Sequence, residues 1–112
     1  MNKALAILGM AKKAGLLAVG GEDTSEAIRR RKAKLVITAS DASEGSVKRA
    51  HTNAQENNVE YMSVPFTKFE LGTTAGRGSP GTIAFLDKGL AKGFKDKLTL
   101  IENIEIAKES DA

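Results

Sequence analysis

The run from Ala33 to Ala39, built around Leu35-Val36-Ile37, constrains this chain more than any other segment. Apolar and β-branched residues in succession suit a pleated surface, and a strand apolar on both faces needs cover on both sides. The run is expected to be the centre of a sheet. Around it the pattern turns helical. Ala4, Leu5, Leu8 and Ala11 form an apolar stripe at helical spacing, and Gly15 stands where a helix-ending residue belongs, which predicts a helix over residues 2–14. Leu16 to Val19 reads as a short strand, and Thr24 to Lys32 as a second helix with Ala27 and Ile28 inward. Ser40-Asp41-Ala42-Ser43-Glu44 offers N-caps for a third helix that closes at Asn57-Asn58. Glu60 to Val64 is a third strand ended by Pro65, residues 67–75 a short helix, and Thr82 to Leu86 a last strand before a helix starting near Asp87. The segment Leu98 to Ile106 fits helix and strand templates equally.

Helices alternating with short strands predict an α/β fold, a three-layer α/β/α sandwich around a four-stranded mixed sheet. A chain of 112 residues with 41% hydrophobic content can bury a real core as one domain. That domain is expected over residues 1–97, with 98–112 as a C-terminal extension. The absence of cysteine excludes a disulfide framework and thiolate metal sites, and no apolar run is long enough for a signal peptide or a membrane span. A soluble, cytoplasmic protein is expected.

Catalytic constellations are missing. The single histidine, His51, falls within a predicted helix, so neither a Ser-His-Asp triad nor a zinc site finds support, and no cofactor or metal is expected. Charge is distributed unevenly. Residues 1 to 50 hold ten Lys or Arg against five acids, a net of +5, while the other 62 residues net −2. Such a basic region is the electrostatic footprint of a polyanion binder. With one Tyr and four Phe, a platform of stacked bases is unsupported, so contact falls to helix-terminal amides, carboxylates that accept from base N–H groups, and flanking cations. Gly20-Gly21 followed by Glu22-Asp23 at a helix start has that character. Gly76-Arg77-Gly78-Ser79-Pro80-Gly81 matches G-x-G-x-x-G literally, yet it follows a helix and precedes a strand, the reverse of the dinucleotide-binding order.

Leu8-Gly9-Met10-Ala11-Lys12-Lys13-Ala14-Gly15, Gly21-Glu22-Asp23, Lys32-Ala33-Lys34-Leu35-Val36-Ile37, Asp41-Ala42-Ser43 and Leu71-Gly72-Thr73-Thr74-Ala75-Gly76 occur in order. Together they resemble the kink-turn RNA-binding ribosomal-protein superfamily, with greatest similarity to small bacterial stand-alone members of the YlxQ type over about residues 3 to 95. The resemblance implies a protein for structured, kink-turn-like RNA on or around the ribosome, ribosomal RNA included, and the chain is expected to act as a non-enzymatic monomer. It also implies that the start of the second helix reads sheared G·A pairs, with Gly21, Glu22, Asp23 and Glu26 at the matching positions. The loop of Gly76, Arg77, Gly78 and Ser79 would meet an extruded nucleotide. Lys12, Lys13, Arg29, Arg30 and Lys34 are phosphate-contact candidates from charge alone. Characterised members usually carry Asn-Glu at the helix start and Lys three residues on. Here Glu22-Asp23 and Glu26 stand instead, and the loop is polar. The alternative reading is a protein-interaction module of the same fold, docking through Leu98 to Ile106.

Overall fold

Helices and strands alternate in the order α1 (Lys3–Lys13), β1 (Leu17–Val19), α2 (Gly21–Arg29), β2 (Leu35–Thr38), α3 (Glu44–Glu56), β3 (Glu60–Ser63), α4 (Lys68–Ala75) and β4 (Thr82–Phe85). A further helix, α5, occupies residues 88–98 of the computed structural model, which describes residues 2–76 and 78–98. The expected elements are all present, and their ends follow from local chemistry. Asn2 caps α1 by accepting from the N–H groups of Ala4 and Leu5 at 2.8 and 3.2 Å, and Gly15 takes the left-handed conformation (φ 72°) just past its end. Ser43 caps α3 through the Ser46 N–H, Thr67 and Glu70 form a reciprocal capping box on α4, and Asp87 accepts from the Leu90 N–H in α5.

The strands form one sheet in the order β1-β4-β2-β3. β4, the last of the described strands, is therefore an inner one, antiparallel to both β1 and β2, while β2 and β3 run parallel. Alternate side chains of each strand feed two separate cores, as a pleated strand requires. On one face Val19, Leu35, Ile37, Ile83 and Phe85 meet Leu8 of α1, Leu71 of α4, and Phe94 and Leu98 of α5. On the other face Ala18, Val36 and Ala84 meet Ala27 and Ile28 of α2 and Ala50 and Ala54 of α3. Alanine-rich contacts let these two helices lie close to the sheet. The result is the three-layer sandwich that the central apolar run demanded, with no sheet face left open for stacking bases.

One helix is displaced from expectation. The second helix was expected over Thr24 to Lys32, but α2 spans Gly21–Arg29, three residues earlier at both ends. Gly20, at φ 99° and ψ 163°, is its N-cap, and its carbonyl accepts from the Thr24 N–H at 3.0 Å. Thr24 is thus buried inside the first turn, its hydroxyl directed to the Ala18 carbonyl at 3.5 Å. At the other end Arg31, at φ 61°, stops the helix. Leu98, the first residue of the segment left open above, is buried in the core, and residues 99–112 lie outside the described part of the chain.

Candidate nucleic-acid interface

β1 and β2 end at the same edge of the sheet where β4 begins, because Val19 pairs with Ile83 and Thr38 with Thr82. Backbone bonds pin this edge: the Gly20 N–H donates to the Thr82 carbonyl at 2.8 Å and the Ala39 N–H to the Gly81 carbonyl at 2.9 Å. The start of α2 is thereby set against the loop that leads into β4. Between them lies a shallow groove of about 340 Å³, lined by Val19, Gly20, Gly21, Glu22, Asp23, Ser79 and Pro80. Gly21, Glu22 and Asp23 are solvent-exposed, with the two acids in the first turn of α2.

That helix start differs chemically from the others described. Each remaining helix has a side chain bonded to its first turn, whereas the N-cap of α2 is Gly20 and supplies none. First-turn N–H groups have no upstream carbonyl within the helix, and their partial positive charge favours anions and hydrogen-bond acceptors. Glu22 and Asp23 gain from the same dipole, a bland benefit of roughly 0.3–1 kcal/mol each at an exposed surface.

The opposing loop is held by packing. Gly76 caps α4 in the left-handed conformation (φ 68°), Gly78 repeats it (φ 53°), and the chain folds back so that the Gly78 carbonyl and the buried Pro80 press on Gly72. Of the expected loop residues, Ser79 therefore sits opposite Gly21, Glu22 and Asp23, Gly76 and Gly78 shape the turn outside the groove's lining, and Arg77 falls outside the described residues. At its base, α4 is tied to the same edge by the Lys68 N–H, which donates to Asp41 Oδ1 at 2.8 Å.

The expected phosphate contacts fall elsewhere. Lys34 donates its N–H to the Phe85 carbonyl, and the Leu86 N–H bonds the Leu16 carbonyl, so Lys34 and the end of α1 bearing Lys12 and Lys13 belong to the opposite end of β4. Arg29 and Arg30 lie at the far end of α2, about 13 Å from its start by helical rise. Glu26, one turn from Arg30, pairs with it at 3.1 Å. The structure divides the candidates into a groove at one edge and a basic cluster at the other.

A cation near the groove was missed. Arg49 of α3 lines the crevice beside Gly21, Ser25, Ser46 and Asn53, where Asn53 Nδ2 donates to Ser25 Oγ at 3.2 Å. Nothing in the sequence around Arg49 signals this, since the crevice is made by two helices brought together through the sheet.

A three-layer sandwich with β4 inserted between β1 and β2, and a bare helix start facing a glycine loop, defines the class of protein. Residues 2–93 match the Ribosomal protein L7Ae/L30e/S12e/Gadd45 family, and the chain belongs to it. It is 37% identical over 98 residues to the RNA-binding protein YlxQ of Enterococcus faecium, covering 85% of this chain and 90% of that one. A solved protein of unknown function from Bacillus halodurans C shares the fold with a TM-score of 0.81 at 24% identity, over 88% of this chain and 99% of its own. The Giardia lamblia 15.5kD RNA binding protein shares it with a TM-score of 0.68 at 17% identity, over 90% of this chain and 86% of its own. No helix among the described residues is long and apolar enough to cross a membrane.

Proposed function

We propose that this chain is a non-enzymatic RNA-binding protein that takes structured, kink-turn-like RNA on or around the ribosome. The observation that carries the reading is the solvent-facing start of α2, with no side-chain cap at Gly20, set across a groove from Ser79 and Pro80. Exposed first-turn amides suit acceptors on a distorted base edge or phosphate, and carboxylates accept from base N–H groups. A carboxylate near phosphates suffers Coulomb repulsion, so Glu22 and Asp23 belong in such a groove as readers of bases. The 37% identical relative is named an RNA-binding protein, which agrees with this use of the fold. In this reading the Gly76 to Ser79 loop, Arg77 included, meets the extruded nucleotide, and the protein acts as a monomer in the cytoplasm.

The test is a comparison of two RNAs. A labelled kink-turn duplex should bind at least tenfold more tightly than the same duplex with its G·A pairs restored to Watson-Crick, a difference of about 1.4 kcal/mol. Equal affinity would remove the motif claim. Asp23→Ala should lower this preference more than it lowers binding to the restored duplex, because a base contact specifies while phosphate contacts only position.

A further inference from the structure

The densest run of cations, Arg29 to Lys34, does not face the groove at the start of α2. Two of its cations, Arg31 and Lys34, line a second and larger cleft, of about 590 Å³, between the C-terminal ends of α2 and α3 and the beginning of β3. Arg31, Lys34, Asn57, Asn58, Glu56 and Glu60 supply its polar lining. Both helices end there in a left-handed residue, Arg31 at φ 61° and Asn58 at φ 58°. Asparagine tolerates that conformation, and glycine adopts it without strain, but an arginine does so at a cost. The backbone of Arg31 is held by its own N–H to the Ile28 carbonyl at 3.0 Å, and the Lys32 N–H donates to the Ala27 carbonyl at 2.9 Å. A strained position thus carries an exposed guanidinium on the lip of a cleft.

Helix-dipole compensation accounts for Arg29 and Arg30 but not for the rest of this cluster. The dipole acts within the last turn, yet Arg31, Lys32 and Lys34 lie beyond the end of α2. Nor are most of these cations tied up in ion pairs. Glu26 is engaged by Arg30 at 3.1 Å and Glu60 by Lys95 at 2.7 Å, and among the described residues no acid forms an ion pair with Arg29, Arg31, Lys32 or Lys34. What the cleft offers is a planar fork in Arg31, a point charge in Lys34, two amide side chains, and the carboxylates of Glu56 and Glu60, which suit sugar hydroxyls rather than phosphate. That set matches phosphate oxygens and sugar hydroxyls.

We propose that this cleft is a second RNA site, one that takes sugar-phosphate backbone without reading sequence, so that a single RNA is held at both ends of the sheet. The inference rests on the RNA-binding reading above. Arg31 and Lys34 carry affinity and salt dependence, and the start of α2 carries motif preference.

The experiment titrates the full chain, Arg31→Gly and Lys34→Gln against the kink-turn duplex and its Watson-Crick counterpart, by fluorescence anisotropy at several salt concentrations. Each variant should lose affinity several-fold for both RNAs alike, with the slope of log K against log salt reduced by about 1 and the preference ratio unchanged. Arg31→Gly should do so while its Tm stays level or rises, because glycine relieves the left-handed strain. If Arg31→Gly instead lowers Tm, Lys34→Gln carries the comparison. Unchanged affinity and slope in a folded variant would overturn the second site, as would a loss confined to the kink-turn RNA. A wild-type chain that binds neither RNA would instead sink the RNA reading itself, and equal wild-type affinity for both would sink only the motif claim.

Discussion

Gly72→Ala should destabilise the fold by about 1–3 kcal/mol, the usual cost of forcing an extra methyl into filled space, and should weaken RNA binding with it. A Cβ at position 72 would fall on the Gly78 carbonyl oxygen, within 2.8 Å of the carbonyl carbon and 3.2 Å from Pro80 Cδ. The obstacle is backbone, so no rotamer change relieves it and the loop itself must move. Alanine is worth about 1 kcal/mol over glycine inside a helix, which offsets part of the loss. Gly45→Ala is the matched control. Gly45 lies in the first turn of α3 with nothing within 4 Å of the added methyl, so the same exchange there should be neutral or stabilising. Urea unfolding of both variants checks the pair, and amide exchange at Gly78, Ser79 and Gly81 should speed up only in Gly72→Ala. Wild-type stability and unchanged loop protection in Gly72→Ala would contradict the packing account.

Gly20→Ala should cost a comparable 1–3 kcal/mol, roughly the strain of a residue held in a backbone region that only glycine occupies freely, but for a different reason. Nothing lies within 4 Å of a Cβ at Gly20; the penalty comes from φ 99° and ψ 163° alone. An alanine that rotates away must give up the N–H bond to Thr82 or the carbonyl bond from Thr24, and either change moves the first turn of α2. RNA affinity should therefore fall tenfold or more even at temperatures where the variant remains folded, a loss of about 1.4 kcal/mol per factor of ten. Gly21→Ala separates shape from contact. Gly21 has no left-handed φ and no neighbour within 4 Å, so its replacement should leave Tm unchanged. Any affinity lost in that variant reports RNA packed against the helix start. Thermal melts with anisotropy titrations of the two variants distinguish these effects, and a Gly20→Ala protein with wild-type Tm and affinity would refute the backbone argument.

The sequence by itself determined the order of the elements, the central place of Leu35-Val36-Ile37, four of the helix starts and the family. These rest on local signals: apolar spacing, cap residues and short motifs whose meaning needs no distant partner. The glycine-acid start of α2 was also legible as a candidate site, although its boundary was not. Thr24 reads as a helix opener from sequence and becomes a buried first-turn residue only because Gly20 is fixed by β4, more than sixty residues away. Tertiary structure alone decided which candidates meet. Inserting β4 between β1 and β2 sets Ser79 and Pro80 opposite Glu22 and Asp23, draws Arg49 to the same edge, and sends Lys34 with the ends of α1 and α2 to the other. Charge and spacing along a chain carry no record of such pairing, because strand register is set by contacts between segments far apart in sequence.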